Sequence, residues 1–212
     1  MIGQQQKDQA EKWFKDLRDK ICKEFEILEE DHLKLAPKSN VAAKKFERKS
    51  TIRETDDKED GGGGVMATLK GGRIFEKVGV NVSAVYGNLA PEAQKSITAR
   101  KAIPELKDDP RFWASGISLV AHMRNPHTPA IHLNTRMFWT PHAWWFGGGT
   151  DLNPSIENDD DTNFFHQTLK KKCDKHNQSY YKKFKEWADE YFFIPHRTVS
   201  YTHLTLPTIL PV

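Results

Sequence analysis

A chain of 212 residues, 37% hydrophobic and 29% charged, is long enough to bury one core and too polar to be a bundle of membrane helices. Lys and Arg total 32 against 29 Asp and Glu, a formal net charge of +3, which suits an anionic small molecule and does not demand nucleic acid. Two cysteines, Cys22 and Cys173, supply neither a disulfide framework nor a paired-cysteine metal motif, so both read as reduced thiols in a reducing compartment, the cytoplasm.

The N-terminal stretch MIGQQQKDQAEKWF lacks the apolar core of a signal peptide, and its early acids argue against a transit peptide. No apolar run approaches the roughly 20 residues of a membrane span. Over residues 8–32, Ala10, Trp13, Phe14, Leu17, Ile21, Phe25 and Leu28 recur at spacings of three and four, which predicts one amphipathic helix packed on a core. Residues 33–50 are basic and irregular. RETDDKEDGGGG then reads as a solvated loop ending in Gly61–Gly64. VMATLK and RIFEKV flank Gly71 and Gly72 in a hairpin pattern, and VGVNVSAVYG continues with β-branched residues. PEAQKSITAR and LKDDPRFWA read as short helices and turns. Two further strands are expected, around Gly116–His122 and around Ala130–Trp139. After Gly147–Gly149 the chain turns helical: DDDTNFFHQTLKKKCDKH runs from acids to lysines, as a helix dipole favours, and SYYKKFKEWADEYFF is a second, aromatic-rich helix. Helix, strands, then helices predict an α+β fold: one domain over residues 1–197 with a large antiparallel sheet flanked by helices on both sides.

Strand side chains alternate faces. Ser118, Val120 and His122 share one face of the first of these two strands, and His132, Asn134 and Arg136 one face of the second. The turn signals of MRNPHTP between them would make the strands neighbours. If the polar faces align, Ser118, His122, His132, Asn134 and Arg136 converge. A solvent-facing polar face is the competing reading. The residue types favour chemistry: imidazoles move protons near neutral pH, while Arg and Asn hold carboxylates. His127, in the loop, has no nameable partner. In HAWWFGGGTDLNP the triple glycine admits close approach of a ligand to the main chain, or simply makes a tight turn with Asp151 as a helix N-cap. It lacks the spacing of a P-loop or a dinucleotide fingerprint, and no HExxH signature supports a metal hydrolase.

The stretches GGGGVMATLKGGRIFEKVGVNVS, FWASGISLVAHMRNPHTPAIHLNTR, WWFGGGTDLNP and YKKFKEWADEYFFIPHR resemble the oxygen-dependent coproporphyrinogen III oxidases, from about Glu11 to Arg197. The resemblance implies a flat antiparallel sheet between helices, a homodimer and a role in haem biosynthesis. There the ring A and B propionates of coproporphyrinogen III become vinyls, giving protoporphyrinogen IX. Dioxygen accepts the electrons, carbon dioxide and hydrogen peroxide leave, and no organic cofactor is used. By motif, His132 matches the proton donor, and Ser118 with Asn134, Thr135 and Arg136 the substrate-binding positions. Asp151 matches the acid that faces pyrrole NH groups, so His132, Asp151 and Arg136 form the implied catalytic set. His122, His132, His166 and His196 match positions assigned in some members to a divalent metal cation.

Residues 198–212, TVSYTHLTLPTILPV, do not match the family pattern. They are expected to be an unrelated tail without regular structure, leaving the aromatic face of the last helix uncovered. The competing function is a tetrapyrrole-binding fragment without turnover.

Overall fold

Helix α1 (Gln4–Leu35) forms because its apolar residues line one stripe and its charges pair along the other faces, as in Lys12–Asp16 at 2.6 Å and Glu11–Lys15 at 2.5 Å. Such exposed pairs contribute only about 0.3–0.5 kcal/mol each, so the buried stripe holds the helix in place. In the computed structural model, which describes residues 3–37, 40–55, 57–101, 103–191 and 202–207, that stripe places Phe14 and Cys22 in the core. Ala10, Leu17, Ile21 and Phe25 pack against the same cluster. Burying Phe14 alone is worth roughly 1.5–3 kcal/mol. The helix extends beyond the predicted 8–32 at both ends, over the polar Gln4–Lys7 and over Leu33–Leu35, whose two leucines are exposed.

Beneath α1 lies a seven-stranded antiparallel sheet in simple chain order. The strands are β1 (Glu47–Glu54), β2 (Asp60–Lys70), β3 (Phe75–Asn88), β4 (Arg111–Met123), β5 (Ala130–Trp139), β6 (Trp144–Asn153) and β7 (Thr202–Pro207). Period-two alternation fixes the faces. Ala67, Leu69, Val78, Val80, Val82, Trp113, Ile117, Leu119, Ala121 and Met137 are buried in the cluster that includes α1. Their neighbours Lys70, Lys77, Asn81, Ser118, His122, His132, Asn134 and Arg136 are exposed on the second face. One end of that face is covered. Helix α2 (Pro91–Lys101) and a 3-10 turn (Pro104–Lys107) set Ile97, Ile103 and Leu106 against Phe112, Phe138 and Trp145. These rings stack in a row, Phe112 on Phe138 at 5.6 Å and Phe138 on Trp145 at 4.9 Å between centroids. Helices α3 (Asp159–Asp174) and α4 (Tyr180–Tyr191) pack on each other through Leu169, Cys173 and Phe184. The α+β class and the helices on both sides of the sheet are as the sequence predicts.

Four local expectations are corrected. Residues 47–54 and 60–64 belong to two paired strands, where the sequence suggested an irregular stretch and a loop. Every residue of β1 is exposed, so no alternation marks it. The glycines of β2 sit where neighbouring backbones approach closely: a Cβ on Gly62, Gly63 or Gly64 would run into the carbonyls of Ala84, Thr51 or Val82. Gly147–Gly149 lie inside β6 and make no turn. Asp151 is likewise in mid-strand, and the N-cap of α3 is Asn158, whose side chain accepts from the Asp160 and Asp161 amides. Finally, Thr202–Pro207 is the edge strand β7, pairing with β6 from Thr202 opposite Leu152 to Pro207 opposite Gly147. Proline is tolerated at a strand end on a sheet edge, where its missing N–H removes no ladder bond from a central position. Helix α4 lies beside β7, and its Phe184 and Ala188 are buried rather than exposed, although Trp187 remains 43% exposed.

Candidate functional site

Register brings the polar residues together. Ser118 pairs with Asn134, Val120 with His132 and Gly116 with Arg136 across β4–β5. His132 pairs with Asp151, Asn134 with Gly149 and Arg136 with Gly147 across β5–β6. Ser118, His122, His132, Asn134, Arg136 and Asp151 therefore share the second face, as the alternation of the two strands predicts. A Cβ on Gly147 would meet nothing within 4 Å, whereas one on Gly116 would lie 2.7 Å from the Arg136 Cβ. Glycine at 116 lets Arg136 lie close over β4. Glycine at 147 leaves open floor beside it.

The centre of the face is an imidazole–carboxylate pair. His132 Nδ1 stands 3.2 Å from an Asp151 carboxylate oxygen that also accepts from the Asn153 side-chain amide. The Asp151 side chain is 15% exposed and that of His132 48%, so the acid is sheltered and the imidazole faces outward. A carboxylate at Nδ1 selects the tautomer and fixes the ring plane, leaving Nε2 to meet a ligand. The Thr150 hydroxyl donates to the His132 carbonyl at 2.8 Å and braces the strand from behind. The His122 ring stands edge-on to His132, 6.4 Å between centroids.

Not every expected site residue joins this group. Thr135 pairs with Ile117, which is buried under α1, so its side chain belongs to the opposite face and only its main chain lies along the site. His166 is on α3, where its Nδ1 shares a 2.9 Å hydrogen bond with the Tyr181 hydroxyl. Burial there pushes its pKa down, and Lys185 adds to this. His196 lies outside the described residues. His127 is exposed in the β4–β5 turn, its amide donating to the Asn125 side chain. Among the described residues no three His, Cys, Asp or Glu side chains are grouped to hold a metal ion. Of the expected histidine set, His122 and His132 stand near each other among the described residues, while His166 is held by Tyr181 on the α3–α4 pair. Asn153 and Asn81 extend the site beyond the expected residues: Asn153 holds Asp151, and Asn81 pairs with Ser118. Both sit at alternate positions of strands whose other face is apolar, a signal the sequence carried.

Burial raises the Cys22 thiol to about 11, so it is an inert core group.

A family model described as coproporphyrinogen III oxidase matches residues 9–200. The chain is 45% identical over 191 residues to the oxygen-dependent coproporphyrinogen-III oxidase of Rickettsia peacockii (strain Rustic), covering 90% of this chain and 63% of the relative. It is equally similar to the protein of the same name from Rickettsia conorii (strain ATCC VR-613 / Malish 7). To that of Rickettsia bellii (strain RML369-C) it is 42% identical over 196 residues, or 92% of this chain and 64% of the relative. The chain thus spans a little under two thirds of the length of these curated relatives.

Proposed function

The chain belongs to the coproporphyrinogen III oxidase family, and from that premise we propose that its open sheet face receives coproporphyrinogen III and supports the oxidation of two propionates to vinyls with dioxygen, in haem biosynthesis. For each propionate, the carbon next to the ring gives up a hydride equivalent. The carboxylate leaves as carbon dioxide, and its bonding electrons form the vinyl double bond. The hydride equivalent and one proton reduce dioxygen to hydrogen peroxide. The electron-rich tetrapyrrole itself supplies the electrons.

The observation that carries this reading is the His132–Asp151 pair at 3.2 Å on an otherwise exposed polar face. His132 supplies the proton from Nε2, and its exposure lets solvent restore it. Asp151 holds a sheltered negative charge under the substrate and stabilises positive charge developing on a pyrrole ring. Arg136 holds a propionate bidentately, while Asn134 and Ser118, opposite each other in register, donate to the same carboxylate region. The Thr135 side chain takes no part. A homodimer and a cytoplasmic setting belong to the same proposal. No helix among the described residues is long and apolar enough to cross a membrane.

The test is turnover of anaerobically prepared coproporphyrinogen III after dioxygen is admitted, with carbon dioxide and product both measured. His132→Ala is expected to lower kcat about 10²–10⁴-fold. Asp151→Asn is expected to lower it about 10²–10³-fold with little change in affinity. Neither should shift the melting temperature much. A wild-type chain that binds the substrate without converting it would replace the oxidase reading with the tetrapyrrole-binding one.

A further inference from the structure

The second face carries a cationic row that the expected site does not use. Lys70 on β2 pairs directly with Lys77 on β3, and Lys77 pairs in turn with His122 on β4. All three are exposed, and each lies beside a core position: Leu69, Val78 and Ala121 are fully buried on the other face. Like charges directly opposite in an antiparallel pair are destabilising. Neighbouring acids ordinarily offset this, yet neither lysine makes an ion pair among the described residues. The nearby acid Glu76 faces Arg124 at 3.7 Å. Glu47 lies one diagonal step from Lys70, opposite Thr68, and does not reach it within ion-pair distance. An unpaired lysine couple set against the grain of strand pairing calls for an anion from outside the fold.

Position points to which anion. The row continues through His122 to the edge-on ring of His132, so it abuts the proposed catalytic pair. Arg136 lies at the far end of the same face. Its partner Gly116 is six positions along β4 from His122, and Lys77 is one strand further over. At about 3.3 Å per residue and 4.8 Å per strand, the Lys77 and Arg136 backbones are roughly 22 Å apart. Long side chains reaching inward from both ends narrow that span to something a tetrapyrrole with four extended propionates can bridge.

We propose that Lys70 and Lys77 form a second carboxylate anchor for the tetrapyrrole, holding propionates at the end remote from Arg136. The inference rests on the function proposed above and adds the residues that make the site select a tetracarboxylate over a dicarboxylate.

The test is a fluorescence titration with coproporphyrin III, which carries four propionates and does not turn over, and with mesoporphyrin IX, which carries two. The anchor predicts that Lys77→Met weakens coproporphyrin III binding about ten-fold, the worth of one charge-assisted contact. It predicts a much smaller effect on mesoporphyrin IX and recovery with Lys77→Arg. Lys95→Met on α2 controls for net charge and should change neither affinity. Lys77→Met should melt no lower than wild type, because it relieves a like-charge pair. If it unfolds, Lys70→Met carries the same test. Equal coproporphyrin III affinity in wild type and the lysine variants overturns the anchor and leaves the function intact. Equal weakening by Lys95→Met overturns it as well, as mere net charge. A wild-type chain that binds neither porphyrin overturns the anchor and the proposed function together.

Discussion

Glu29 has no solvent exposure, and no cation reaches it within ion-pair distance among the described residues. Its carboxylate instead accepts four backbone amides: Arg73 at 2.7 Å, Ile74 at 2.9 Å, Phe75 at 3.0 Å and Lys44 at 3.3 Å. Two of these donors belong to the β2–β3 turn and a third, Phe75, opens β3, so one helical side chain ties α1 to the hairpin that carries Lys70 and Lys77. Gly72 admits the carboxylate, because a Cβ there would overlap both of its oxygens. Gln has one acceptor oxygen, and its amide group would face donors. Glu29→Gln should therefore cost about 2–3 kcal/mol of stability by leaving buried N–H groups unsatisfied. Chemical denaturation checks this, and an unchanged midpoint would mean that water or another acceptor replaces the carboxylate. The same scale shows the limit of single-residue inference. The acidic residue at 29 is one charge in a charged helix when read in sequence, and only its tertiary partners make it a clasp.

Strands β4, β5 and β6 show what an element can and cannot reveal. β5, Ala130–Trp139, lies where the sequence predicts a strand because polar and apolar residues alternate over Ile131–Asn134 and the burial pattern keeps that period to Met137. That alternation also made the shared face of His132, Asn134 and Arg136 legible. It equally places Thr135 on the other side, against the resemblance that groups the three consecutive residues together. β1 was illegible because an edge strand exposed on both faces has no period to read. In β6 the glycines concealed the strand, since glycine ordinarily signals a turn. Their roles differ and can be separated. A Cβ on Gly148 would run into the Asn134 carbonyl and lie 2.9 Å from the Thr135 Cα, whereas Gly147 faces open space. Gly148→Ala should then cost about 1–3 kcal/mol through forced strand separation, and Gly147→Ala nearly nothing. Thermal melts of the two variants decide it, and equal melting temperatures would contradict the close β5–β6 approach.

At the scale of the molecule, one sheet is asked to do two things. Its α1 face builds the core, and its other face stays polar over most of its extent, capped at one end by the stacked Phe112, Phe138 and Trp145. The order of the elements, helix, strands, then helices, foresaw the α+β fold. Placing His166 away from His132 required knowing that α3 packs on α4, which no periodicity within either helix specifies. The chain-order meander explains why so much was readable: each polar strand meets its sequence neighbour, so local register suffices to assemble the face. The central claim is that this face, and no other surface, receives the tetrapyrrole. Isotope-labelled histidine side chains report it directly, with resonances assigned by single substitutions. On addition of coproporphyrin III to the wild-type chain, the His122 and His132 resonances should shift while those of His166 and His176 stay in place. Movement of His166 with His122 and His132 unchanged would contradict the account and put the ligand against α3 and α4.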